Sequence, residues 1–138
     1  MRRLFAGSLL GLSIVALAAT ALWAGSPHFV GDVTVKRTGN TITASGKEAG
    51  LGSETQVHIV LSLNAQCVNP GQNRPKAANK QSFTAEGDFP VQNGQANFTL
   101  SVTPVFQPDC TPPMTLVISD VKVCDVAHNV CASLTGTY

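Results

Sequence analysis

Between residues 56 and 65, Val57, Ile59, Leu61 and Leu63 alternate with Gln56, His58, Val60 and Ser62. A period of two puts one set of side chains on each face of an extended chain, so this run predicts a strand with one buried face. The pattern recurs in short stretches. Val33 and Val35 share a face within 29–37, Ile42 and Ala44 within 41–45, and Ala96, Phe98, Leu100 and Val102 within 95–103. Further strands are predicted at 81–91, 115–125 and 129–137. No helical period appears in this region beyond a single turn that Pro75 could start.

Turn formers separate these runs. Thr38-Gly39-Asn40 closes the first pair, a loop covers 46–55, and Asn93-Gly94 predicts a tight hairpin between 81–91 and 95–103, because both residues tolerate positive φ. Asn129 suits a left-handed position in the last turn. Two longer loops, 66–79 and 104–114, are polar and rich in proline. Seven short strands joined by turns predict an all-β fold, an immunoglobulin-like antiparallel β-sandwich, with a small closed barrel as the alternative.

If consecutive strands run up and down, the strand order assigns every loop to an end. We call the end where the first strand begins the first pole. The loops that carry Cys67 and Cys110 both fall at the second pole, whereas Cys124 and Cys131 face each other across the last hairpin near the first. The predicted disulfides are therefore Cys67–Cys110 and Cys124–Cys131. Cys124, His128 and Cys131 also have a ligand-like spacing, but three residues on one hairpin lack a fourth ligand, and an oxidising compartment favours the disulfide. No metal and no cofactor is expected.

The N-terminal segment has another character. Arg2 and Arg3 precede an apolar run from Leu4 to Trp23 that ends in small residues, the order of a secretory signal. We read 1–24 as the signal peptide, cleaved after Ala24 or, as second choice, after Ala21, and 25–138 as one β-sandwich domain. An uncleaved segment of this length could instead anchor the chain in a membrane. Without Arg2 and Arg3 the nine basic residues become seven against eight acidic ones, a balance that gives nucleic-acid binding no electrostatic support.

Candidate chemistry is sparse. His28, His58 and His128 fall in three separate places and are read as surface residues; no nucleophile elbow, zinc-protease helix or phosphate loop occurs, so no catalytic residue is assigned. Glu48 and Glu54 could form a carboxylate pair, yet nothing in the pattern sets their separation. Calcium would need a denser run of acidic ligands. The charges do sort by pole. Arg37, Arg74, Lys76 and Lys80 gather at the second with Asp109, while Asp32, Glu48, Glu54, Asp88 and Asp125 lean to the first with Lys47. The candidate ligand-binding residues are Asn69, Gln72, Asn73, Arg74, Lys76 and Lys80, on the loop at the stapled pole.

Several segments, taken together, resemble a family of small exported actinobacterial proteins of unassigned function: Pro27-His28-Phe29, Lys47-Glu48-Ala49-Gly50-Leu51-Gly52, Cys67-Val-Asn-Pro-Gly71, Pro75-Lys-Ala-Ala-Asn-Lys80 and Cys110-Thr-Pro-Pro-Met114. The resemblance implies export, a compact β-domain and paired cysteines matching Cys67 and Cys110, and it carries over no catalytic residue. Cys124 and Cys131 depart from that pattern. The expected function is a non-enzymatic binding module, secreted or associated with the cell wall, whose partner is an anionic cell-wall polymer, a polysaccharide or another protein. The alternatives are a secreted enzyme or enzyme inhibitor acting through loop 66–80, and a structural surface protein that self-associates pole to pole.

Overall fold

The computed structural model describes residues 25–71, 79–136 and 138. The predicted signal segment and four of the candidate binding residues, Gln72, Asn73, Arg74 and Lys76, lie outside the described residues. Eight strands are described: β1 (His28–Phe29), β2 (Thr34–Thr38), β3 (Thr41–Ala49), β4 (Gln56–Val68), β5 (Lys80–Pro90), β6 (Ala96–Val102), β7 (Thr115–Asp125) and β8 (Val130–Leu134). They form two antiparallel sheets. In the first, β1 and β2 pair one after the other along one side of β3, and β6 pairs along the other; the second runs β5-β4-β7-β8. The predicted all-β sandwich is what the chain adopts.

Alternation builds the core. From the first sheet Ile42, Ala44, Ala96, Phe98, Leu100 and Val102 point inward; from the second Val57, Ile59, Leu61, Leu63, Ala65, Leu116, Ile118, Val121 and Val123 meet them, all buried. Ile118 and Val121 are three apart, yet both face in. A bulge explains this: the register of β7 against β4 shifts between Ser62 and Asn64, and Asp120 takes a positive φ of 54°. Outward positions of β3 and β6 carry hydroxyls paired across the strands, Thr43 with Ser101 at 2.8 Å and Ser45 with Thr99 at 3.0 Å.

Three expectations need correction. The first predicted strand is two, because Gly31 at φ +66° turns the chain between β1 and β2; the edge is held there by the Val30 amide donating to the Lys47 carbonyl at 2.8 Å. Next, Asn93 and Gly94 do form a tight turn with positive φ at both positions, but it does not close a ladder. Gln92 and Gln95 form the bridge beside the turn, and the chain then leaves the second sheet, where β5 pairs with β4, for the first, where β6 pairs with β3. Last, the residues Gly46 to Ala49, expected in a loop, extend β3, which pairs there with β6 and with β1.

Gly46 shows how closely the first sheet packs. It lies opposite Phe98 in the register, and a Cβ there would stand 2.6 Å from Phe98 Cζ and 3.3 Å from Val33 Cγ2. Phe98 cannot easily give way, since its ring sits edge-on to Phe29 at 5.6 Å and tilted against Phe89 at 6.1 Å. Gly46→Ala is therefore expected to destabilise the domain by about 1–3 kcal/mol in urea unfolding, the usual range for overpacking. Trimming the ring in the same chain with Phe98→Leu should recover part of that loss.

Candidate functional site

The two disulfides form as the strand order predicts. Cys67, at the end of β4, bonds to Cys110 in the 103–114 loop with a Cα–Cα distance of 5.8 Å, and Cys124 bonds to Cys131 directly opposite it in the β7–β8 ladder. The first lies at the second pole and the second near the first, so each end of the sandwich is cross-linked.

At the second pole Asn69 and Lys80 are exposed, and Lys80 pairs with Gln66 in the β4–β5 register. Both ends of the candidate loop are thus anchored. Lys80 lies near Asp120, whose carboxyl is held below the usual carboxylate range first by hydrogen bonds from Asn64 and Ser119 and then by this positive charge. Arg37, expected among the free basic charges of this pole, is already engaged. Its guanidinium donates to the carbonyls of Gly39, Leu116 and Tyr138, tying β2 to β7 and to the last residue.

Titratable groups converge at the first pole, in a way the sequence pattern left open. Continuing the inward positions Ile42, Ala44 and Gly46 of β3 by two residues reaches Glu48; continuing Val121 and Val123 of β7 reaches Asp125. Both strands end at this pole, one from each sheet, so the two carboxylates enter the sandwich where its apolar layer stops. Both are 0 % exposed. His128, in the last turn, closes over them: its amide donates to Asp125 Oδ1 at 3.2 Å, its Nδ1 meets Asp125 Oδ2, and its Nε2 lies 2.9 Å from Glu54 Oε1.

Glu48 is the unusual member. As a carboxylate it has no hydrogen-bond partner on either oxygen. Burial, aided by the nearby charge of Asp125, pushes its pKa up to about 7, and in the protonated form it can donate to Asp125. The hydrogen bonds from His128 to Asp125 and Glu54 raise the imidazole's pKa, because the doubly protonated ring supplies both donors. Glu48, Asp125 and His128 each offer a ligating atom, and these atoms lie within 4.8 Å of one another.

His128 was expected as a surface residue; its side chain is only 25 % exposed and is the group that joins the acids. Of the other two histidines, His28 is exposed and His58 is half-buried on the outer face of β4. His28 Nδ1 lies 2.7 Å from the Ser26 carbonyl, and His58 meets Asp88 across the β4–β5 ladder at 2.8 Å, with Glu86 beside it at 3.5 Å. Glu54 and Glu48, weighed as a carboxylate pair, do gather at one place, but with Glu48 enclosed and His128 between Glu54 and Asp125. Compared with protein-family models, with curated proteins and with solved structures, the chain matches none.

Proposed function

We propose that this chain works outside the cytoplasm, secreted or bound to the cell wall, as a non-enzymatic binding module that presents the polar segment between Asn69 and Lys80 to an anionic cell-wall polymer. The observation that carries this reading is the anchoring of that segment. The Cys67–Cys110 bond ties its entry to the neighbouring loop, and the Gln66–Lys80 pair ties its exit to β4. A loop held at both ends has less conformational freedom to lose on binding, which raises affinity for the same contacts. Arg74, Lys76 and Lys80 supply three cationic groups to the segment, against Asp109 from the strand order and Asp120, which lies near Lys80. Two disulfides suit an oxidising compartment and agree with the secretory reading of residues 1–24.

The test is retention of the oxidised mature protein on purified cell wall. Binding is expected to weaken as salt rises, since exposed charges are screened within roughly 8–10 Å at ionic strengths near physiological. Replacing Arg74, Lys76 and Lys80 together by Ala should reduce affinity roughly tenfold, corresponding to about 1.4 kcal/mol. Undiminished binding by the triple variant would remove the basic segment from the account.

A further inference from the structure

We propose that the first pole is a site for one divalent transition-metal ion of the zinc class, held by Glu48, Asp125 and His128, with Glu54 at its outer side. The proposal concerns the pole opposite the binding segment and does not depend on the function proposed for it.

Three observations point to a cation. Glu48 is fully enclosed, and neither of its oxygens meets a hydrogen-bond donor. A buried polar group without a partner is costly, and a charged one more so, which is why such groups in proteins are paired or bind an ion. Asp125, equally enclosed, faces the same space from the other sheet, and the His128 ring completes the set of donor atoms within 4.8 Å. Three atoms at that outer separation have a common centre about 2.8 Å from each, against zinc–ligand bonds of about 2.0–2.2 Å, so closing on an ion requires side-chain shifts of less than about 1 Å.

Charge and donor type narrow the ion. Two carboxylates and a neutral imidazole carry a total charge of −2, which a dication neutralises in full. The ion takes His128 as the neutral imidazole and Glu48 as the carboxylate, so any proton that either group holds is released on binding. Imidazole nitrogen favours zinc and its neighbours over calcium, which takes six to eight oxygens. The partly open side supplies access: His128 is 25 % exposed and Glu54, 2.9 Å from its Nε2, is 42 % exposed. Glu54 lies on the far ring nitrogen, Nε2, whereas Nδ1 faces Asp125, so Glu54 orients the ring as a supporting carboxylate.

The exposed group formed by His58, Glu86 and Asp88 is the competing place for a zinc ion, so the test must separate the two. Metal-stripped mature protein is titrated with Zn²⁺ at pH 7.5 and followed by thermal unfolding and by metal content after desalting. The wild type and His58→Gln should retain about one zinc per chain. Their Tm should rise by about 5–10 °C at saturation, since an ion that binds only the folded state stabilises it. Glu48→Gln, which keeps the side chain's shape and removes its charge, should fold, retain no zinc and show no rise, and His128→Gln should behave likewise. The proposal is overturned if zinc leaves the wild-type Tm unchanged, or if it shifts Glu48→Gln as much as the wild type. A Ca²⁺ shift as large as that of Zn²⁺ would overturn the assignment to a nitrogen-binding metal.

Discussion

Replacing Cys67 and Cys110 together by Ala should cost about 4 kcal/mol of stability. The closure joins residues 43 apart in sequence, and removing it returns to the unfolded chain the loop entropy that the bond had withheld. A domain of this size has only about 5–15 kcal/mol in total, so the loss corresponds to a fall in Tm of roughly 20 °C. Cys67 is also buried, and its sulfur fills space at the end of the core. The parallel change at Cys124 and Cys131 closes a separation of only 7 residues and should cost roughly 2 kcal/mol. Calorimetry of both paired variants checks the order. A greater loss at the short hairpin would mean that strain in the folded state, rather than chain entropy, governs these cross-links.

The second large effect concerns pH and has the opposite sign. In metal-free protein, Glu48→Gln should be more stable than the wild type at pH 8, by up to about 3 kcal/mol, and the two should converge near pH 4. The folded pKa of Glu48 is raised from 4.5 to about 7, so between these values the native state holds a proton that the unfolded state releases. Stability from this group is therefore complete below about pH 4.5 and is lost as pH rises through about 7, at about 1.4 kcal/mol for each unit between the two pKa values. Gln has no proton to lose. His128, with its pKa also raised, loses stabilisation in the same direction as pH climbs, but it does so in both proteins and largely cancels from the comparison. Chemical denaturation at pH 4, 6 and 8 measures the difference. A Glu48→Gln protein less stable than the wild type at pH 8 would mean that the carboxylate has a partner after all.

The strands were legible because apolar residues at every second position leave one way to bury them, and both disulfides followed from counting strand directions. The acid cluster was not legible for a related reason. Hydrophobic period alone ends the strand near its last apolar residue and assigns 46–55 to a loop, whereas the phase of Ile42 and Ala44, carried on through Gly46, brings Glu48 inward. The compensating groups come from elsewhere in the chain: His128 is 74 residues from Glu54, and no local pattern announces such a pair. Extending the phase of both terminal strands, β3 to Glu48 and β7 to Asp125, was the available signal.

Asn93-Gly94 teaches a different point. The turn chemistry was right, with φ of 52° and 72°, but a tight turn reverses the chain without dictating which ladder the next strand joins. β6 found seven positions on β3 and only one bridge lies beside the turn. Charge alone does not say which cations stay free: three backbone carbonyls at the second pole already accept the donors of Arg37.

The most direct measurement is a carbon-13 NMR titration of the side-chain carboxyls in metal-free protein, repeated with one equivalent of Zn²⁺. A buried acid without donors should titrate with its midpoint near pH 7, and Zn²⁺ should abolish that transition while leaving the resonances of Glu86 and Asp88 in place. A Glu48 signal that titrates near its ordinary value of 4.5 and ignores the ion would contradict both the enclosure of the carboxylate and the metal site built on it.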